Sequence, residues 1–410
     1  MILAESPTLT TPDLKPFARR VVKHRIESID ILRGIIMLIM ALDHVRDFFH
    51  PAIAANDPTN LATTTPILFF TRWVTHFCAP LFIFLSGISA HLACRRRTKK
   101  QLSLFLIKRG LWMIVVELVI VFAHSLDPFL HLVIFQVIWA IGTSMIILGL
   151  MIWAPLPAIA IVGGAIFFGH DLLDYIDLPQ TGAAGFLWKL FFSAHFSLFP
   201  LGGGYLLKVS YAIIPWAGVM MLGYVFGSIY RSSFGARRRR NVLVITGAAL
   251  IAFFLISRAF NLYGDPEPWS MGQSSMLNLL SFLNVSKYPP SLLYLCVTLG
   301  PGLLLLSALE KTKNGLTNIF TIYGNVPFFY YVMHWYLLRL LSIAEFYFQG
   351  YSSKDISNSK LLYLFRPDGM GFGLPGVYLA WLLVIVILYY PCRWFANYKR
   401  SHKQWWLSYL

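Results

Sequence analysis

From residue 29 onward the chain is a succession of long apolar stretches separated by polar interruptions. A helix needs about 20 largely apolar residues to cross the hydrocarbon core of a bilayer. By that measure the segments 29–49, 66–94, 102–124, 130–153, 156–170, 210–230, 242–258, 289–309, 324–347 and 374–392 read as spanning helices, the fifth of them short and bounded by Pro155 and Pro157. The predicted fold is an all-α polytopic membrane protein with about ten transmembrane helices. Residues 1–27 form an N-terminal segment, 28–395 one membrane domain and 396–410 a tail.

The interruptions differ in kind. Basic residues gather at Lys15 to Arg25, Arg95 to Lys100, Arg231 to Arg240, Lys311 with Lys313, and Arg393 to Lys403. Each group lies at the end of an apolar segment, as expected where Lys and Arg are retained on the cytoplasmic side during insertion. An even helix count with a cytoplasmic N-terminus places all five groups, and the C-terminus, on that side. The other connections, 50–65, 171–209, 259–288 and 348–373, are longer and rich in Gly, Pro and aromatic residues. Binding residues concentrate on such loops, and Lys208, Arg258 and Lys287 stand near their edges, placed to meet either an anionic ligand or lipid headgroups.

Composition agrees. The 410 residues are 57% hydrophobic and only 13% charged, about half the charge of an ordinary globular chain. That excludes a soluble enzyme, a disulfide scaffold and a disordered tail. The net charge of +16 is accounted for by the basic membrane-flanking groups and their attraction to anionic headgroups, so no nucleic-acid partner is expected. Cys78, Cys94, Cys296 and Cys392 lie in or beside apolar segments without metal-ligand spacing and read as packing residues. No metal is expected. The first 27 residues lack the apolar core of a cleaved signal peptide.

Ionisable groups inside spanning segments are costly and usually face a site or a partner. In the first segment Asp30, Arg33, Met37, Met40, His44 and Asp47 fall within about 60° of a common line. They form a polar stripe along one face, and Arg33 to His44 spans about 16 Å. Asp43 lies beside the stripe, with Arg46 and His50 following. Asp30 and Arg33, three apart, also suit a simple ion pair. Arg72 and His76 share a face in the second segment; Arg109, Glu117 and His124 lie in the third; His334 is central in the ninth, near Tyr330, Tyr331 and Arg339. Histidine exchanges protons near neutral pH, and a carboxylate beside it stabilises the imidazolium. Asp43, Asp47, His44 and His76 therefore suit general-base chemistry. No G-x-S-x-G, P-loop, dinucleotide-binding or HExxH motif accompanies them.

The segments Ser28 to Met37 (SIDILRGIIM) and Leu42 to Phe49 (LDHVRDFF) resemble the first helix of the heparan-α-glucosaminide N-acetyltransferase family and its bacterial relatives. Thr71 to Pro80 (TRWVTHFCAP), Lys108 to Trp112 (KRGLW), Gln136 to Gly142 (QVIWAIG), Ile214 to Gly218 (IPWAG), Lys287 to Ser291 (KYPPS) and Gly324 to Tyr331 (GNVPFFYY) are similar to the bacterial branch, carrying the likeness from about 25 to 395. The resemblance implies acetyl transfer from cytosolic acetyl-CoA to a sugar or glycan acceptor across the membrane, here the inner membrane of a bacterium. His44 stands where the lysosomal enzyme has a polar asparagine. His50 is the nearest match to that enzyme's catalytic loop histidine.

The expected activity is therefore an acetyl-CoA-dependent membrane acyltransferase. Arg33, Lys108, Arg109 and the Arg95–Lys100 group would receive the donor's phosphates, and His334 would line the donor's path. His44 or His50 would serve as base, Asp43 or Asp47 would orient it, and His76 or Arg72 would stabilise the oxyanion. The lipid bilayer is the expected surrounding, and a homodimer is compatible with the sequence. Two rival classes remain open: a proton-coupled transporter relaying protons through the Asp/His/Glu groups, and a haem or quinone protein using His76, His124 and His334.

Overall fold

A computed structural model describes residues 26–51, 57–121, 123, 132–176, 181–193, 197–272, 274–356, 365–367 and 369–408. Its helices are α1 (Glu27–Phe49), α2 (Pro66–Trp73), α3 (Cys78–Cys94), α4 (Lys99–Val115), α5 (Val137–Met151), α6 (Leu156–Gly169), α7 (Gly182–Trp188) and α8 (Ile213–Phe226). They continue with α9 (Ala236–Ala259), α10 (Ser275–Leu283), α11 (Leu292–Leu309), α12 (Gly315–Asn325), α13 (Pro327–Phe348), α14 (Ser353–Ile356) and α15 (Leu374–Ser401). Among the described residues six helical spans are long and apolar enough to cross a membrane: Pro66–Cys94, Leu156–Tyr175, Ile213–Tyr230, Ala236–Ala259, Leu292–Leu309 and Leu374–Ser401. On α9 and α15 only 28% and 17% of the most apolar window is buried, so most of each helix presents apolar side chains outward.

Two expectations about elements need correction. The molecule is mostly helical but not all-α. β1 (Leu132–Phe135) pairs in parallel with β3 (Tyr205–Val209), and β3 pairs antiparallel with β2 (Ser197–Gly202). The segment expected as a helix from 130 therefore enters as a strand, and α5 begins only at Val137. Strand pairing satisfies the loop backbone groups that helices satisfy internally. At the other end of the chain α15 runs unbroken through residue 396 to Ser401, so the expected tail starts as a continuation of the last helix.

Local chemistry explains the helix ends. α1 has Glu27 and Asp30 in its first turn and Arg46 in its last, matching the helix dipole at both ends. Thr98 with Gln101, and Asn314 with Thr317, form capping boxes that start α4 and α12. α5 lacks a side-chain cap of its own. Glu117, in a π-helical turn after α4, supplies one by accepting from the amides of Gln136 and Trp139. Asp171 accepts from the Leu292 amide at 2.7 Å and so helps start α11. These two carboxylates are structural.

Helix pairs meet at reciprocal glycines. A Cβ on Gly34 would strike the Phe320 carbonyl, and one on Gly324 the Asp30 carbonyl, so α1 and α12 cross backbone to backbone. Gly87 and Gly223 do the same for α3 with α8, Gly110 and Gly142 for α4 with α5, and Gly247 and Gly300 for α9 with α11. Close approach through small residues is how helices gain packing where lipid removes the hydrophobic drive. The basic helix ends gather at one end of the bundle. There Arg95 donates to the Tyr230 carbonyl, Arg239 pairs with Glu310, and Lys313 lies 2.8 Å from Glu27.

Gly34→Val places its branches against main-chain atoms and is expected to destabilise the protein by about 3 kcal/mol or more. Gly164→Val, at a position whose added Cβ meets nothing within 4 Å, should leave the unfolding temperature unchanged. Thermal unfolding of the detergent-purified variants measures both.

Candidate active site

The stripe on α1 lines a cavity. Arg33, Met37 and Met40 form one wall of a space of about 250 Å³ enclosed with residues of α3, α4, α5, α12 and α13. Four cations line it: Arg33, Arg97, Arg109 and Lys399. Arg33 is fixed by three helices, donating to Asp30 Oδ1 at 3.2 Å, the Gly324 carbonyl at 3.3 Å and Ser89 Oγ at 2.7 Å. The pair expected between Asp30 and Arg33 therefore exists, and Arg33 faces the cavity as well. Arg97 lies 4.1 Å from the centre of the Phe105 ring, another lining residue. Arg109 Nε and Asn325 Oδ1 are enclosed without a hydrogen-bond partner, and both residues line the space. Lys108 is exposed and does not line it.

Met40 and Tyr331 line the cavity farther along α1 and α13 from the basic end. One turn beyond Met40, the His44 ring lies 4.2 Å from the Trp335 ring and 5.2 Å from that of His334. His334 is fully buried, its Nδ1 3.3 Å from the Tyr330 carbonyl, and its ring packs against Tyr331 at 5.4 Å. His44 Nδ1 is enclosed and makes no hydrogen bond. An imidazole held by aromatic faces with a ring nitrogen unengaged has a lone pair or a proton to offer a substrate.

The carboxylates beside His44 are otherwise engaged. Asp43 binds Arg72 through Oδ2 and Arg46 through Oδ1, the latter at 2.7 Å; Asp47 binds Arg46 at 2.7 Å. Arg46 has 2% side-chain exposure. Both arginines and both carboxylates thus form one compensated cluster that joins α1 to α2. Of the carboxylates expected to orient His44, Asp43 has both oxygens facing guanidinium groups and Asp47 pairs with Arg46, while the imidazole packs on Trp335. Arg72, expected at the oxyanion, is drawn to Asp43.

His76 lies in a 3₁₀ turn, Val74–Phe77, between α2 and α3. Its ring packs edge-on against Tyr294 at 5.5 Å, and the Tyr294 hydroxyl donates to the His76 carbonyl at 2.8 Å. Its Nδ1 is buried without a hydrogen bond. His50 caps the end of α1, where the carbonyl accepts from Arg366 at 2.5 Å and the adjacent Phe49 carbonyl accepts from the Phe372 amide at 2.6 Å. Burial, reinforced by Arg46 and Arg366, holds the His50 imidazole below its ordinary pKa of 6.5. It is therefore neutral at pH 7, as a base must be.

Of the loop cations, Arg258 is structural: it donates to the carbonyls of Phe282, Glu267, Ser281 and Asn284. Lys287 is 9% exposed, with its amine 5.2 Å from the centre of the Tyr288 ring. Tyr288 approaches Tyr211, their hydroxyls 3.5 Å apart. His124, expected with His76 and His334 as a haem or quinone ligand, lies outside the described residues. Trp335, Ser89, Asn325 and Lys399 join the site only through the fold; Asn325 and Lys399 lie within the family-like segment 324–331 and the basic group 393–403, and Trp335 adjoins His334.

The chain matches the family model described as heparan-alpha-glucosaminide N-acetyltransferase, catalytic, over residues 25–259, more than half its length. It belongs to that family of membrane acetyltransferases, for which acetyl-CoA is the implied co-substrate. No curated protein matches the chain. The matched span contains α1 through α9; Asn325, Tyr331, His334 and Trp335 are added from beyond it.

Removing one member of a buried ion cluster leaves the others uncompensated, typically at about 3 kcal/mol or more. Asp43→Asn should therefore lower the unfolding temperature, and Asp43→Asn combined with Arg72→Met should recover part of the loss. A double-mutant cycle by thermal unfolding measures this.

Proposed function

We propose that the protein transfers an acetyl group from cytosolic acetyl-CoA to a hydroxyl or amine of a sugar or glycan at the opposite membrane face. In this reading about ten helices cross the inner membrane of a bacterium, with both termini cytoplasmic. The observation that carries it is the cavity whose basic lining, Arg33, Arg97, Arg109 and Lys399, leads along α1 and α13 toward His44. Phosphates of the donor would engage those cations. The narrow pantetheine arm would follow Met37, Met40 and Tyr331, bringing the thioester toward the His44–His334–Trp335 cluster.

In the transfer step the acceptor oxygen or nitrogen attacks the thioester carbonyl while His44 removes its proton. The tetrahedral oxyanion collapses, the C–S bond breaks, and the coenzyme A thiolate leaves and takes that proton from the imidazolium. His76 would face the oxyanion. Asp43, Arg46, Asp47 and Arg72 would hold the end of α1 in place rather than touch the reacting atoms. His50 is the rival base, neutral and positioned at the same helix end.

The transporter reading loses one proton carrier, because Glu117 is tied to the start of α5. Transfer is distinguished from transport by consumption of acetyl-CoA.

His44→Ala should reduce acetyl transfer at least about 100-fold, the contribution of a general base, with no change in monodispersity or yield. Unimpaired transfer by His44→Ala together with loss in His50→Ala would move the base to His50. Calorimetry with acetyl-CoA should show saturable binding weakened about tenfold or more by Arg33→Ala or Arg109→Ala, each removing a charge-assisted contact. Lys108→Ala should bind as the parent does. Because the base must be neutral, kcat/KM should fall as pH drops below the pKa of that histidine. The acid limb should lie below 6.5 if His50 is the base, since its pKa is depressed from that value.

A further inference from the structure

A second cavity lies between α9 and α11, at the same basic end of the bundle but separate from the one on α1. Arg237, Arg240 and Lys311 line it together with Asn241, Val244 and Leu304. No acidic residue lines it. The nearby carboxylate, Glu310, is engaged by Arg239 through both oxygens, with Arg239 Nη2 3.1 Å from Oε2. Among the described residues Arg237, Arg240 and Lys311 have no ion-pair partner, and Arg240 Nε is enclosed without a hydrogen bond.

Three features define what would fill this space. The four arginines at 237–240 lie within the first turn and a half of α9, where the positive end of the helix dipole disfavours cations and attracts an anion. The lysine comes from the other helix, just beyond α11, so the two elements converge on one negative group. One to two turns along α9 the wall changes character: Val244 and Ile245 are 45% and 67% exposed, and they line the same cavity as Leu304. A ligand that suits both parts has an anionic head and an aliphatic body. α9 offers its apolar face outward along its length, so that body would lie where acyl chains lie. The Gly247–Gly300 approach holds the two helices together beyond the groove, giving it a fixed floor.

We propose that this groove is a binding site for an anionic phospholipid, with the headgroup phosphate held by Arg237, Arg240 and Lys311 and an acyl chain along Val244, Ile245 and Leu304. A basic pocket between helices at a membrane surface is the setting in which anionic headgroups are selected over zwitterionic ones. The lipid would join α9 to α11 at an end where Arg239–Glu310 is the ion pair between them. It would offset the cationic first turn of α9. The proposal does not depend on the acetyl-transfer reading.

The test is native mass spectrometry of the full-length, detergent-purified protein with phosphatidylglycerol or phosphatidylcholine alone, and with phosphatidylglycerol together with glycerol 3-phosphate or acetyl-CoA. The expected result is one phosphatidylglycerol retained at collision energies that strip phosphatidylcholine. Arg237→Gln/Arg240→Gln/Lys311→Gln should weaken that retention about 100-fold, from three charges lost near the membrane surface. Should the triple variant fail to fold, Lys311→Glu replaces an exposed cation with an anion and should weaken retention by itself. Arg393→Gln/Lys403→Gln, exposed cations of the same end, should retain the lipid as the parent does. Equal loss in that control would overturn the proposal in favour of general surface charge. Competition by glycerol 3-phosphate at equal concentration would overturn it in favour of a free phosphate site. Displacement by acetyl-CoA would make the groove a donor site.

Discussion

The close crossing of α1 and α12 at Gly34 and Gly324 is the constraint on which the rest of the site depends. Without a hydrophobic drive between helices in lipid, association rests on van der Waals contact and on polar groups exchanged between helices. Both occur at this crossing. Because the backbones touch, the Gly324 carbonyl comes within 3.3 Å of Arg33, while Ser89 of α3 receives the same guanidinium at 2.7 Å. One side chain is thereby fixed by three helices at the cavity wall. The same contact places Asn325, and the start of α13 immediately after it, against α1. It is α13 that brings His334 and Trp335 to His44.

The two halves of α1 use charge differently. Near its start Arg33 faces a cavity that Arg97, Arg109 and Lys399 also line. Near its end Asp43 and Asp47 are matched by Arg46 and Arg72. A space lined by several cations suits an anionic ligand, whereas a closed ion cluster is self-sufficient and holds elements together. His44 stands at the transition, packed by aromatic rings and left with an open nitrogen. That combination makes it a better candidate for chemistry than the more strongly charged residues around it.

Several buried acids and bases that attract attention in a membrane sequence prove to be structural. Glu117 starts α5, Asp171 helps start α11, and Arg258 gathers four carbonyls from the last turn of α10 and the neighbouring loop. Each satisfies backbone groups left over at a helix end or in an irregular loop, which lipid and protein interior cannot solvate. Family membership over residues 25–259 gives the class of reaction. The division between structural and available polar groups narrows which side chains within that class face a substrate.

The amino-acid order determined that the chain is mostly helical and carries long apolar spans, because apolar length is a local property of each segment. The stripe from Arg33 to His44 was equally legible, since helical periodicity alone puts those residues on one face. The pairing of β1 with β3 was not, because it joins segments some seventy residues apart in the chain. Periodicity also gave no sign that Asp43 would reach across to Arg72 of α2, or that of Lys108 and Arg109 only the latter would line the cavity. Those outcomes depend on which helix lies beside α1 and at what rotation. The reciprocal glycines decide that through contacts between residues remote in sequence, and only the tertiary structure records it.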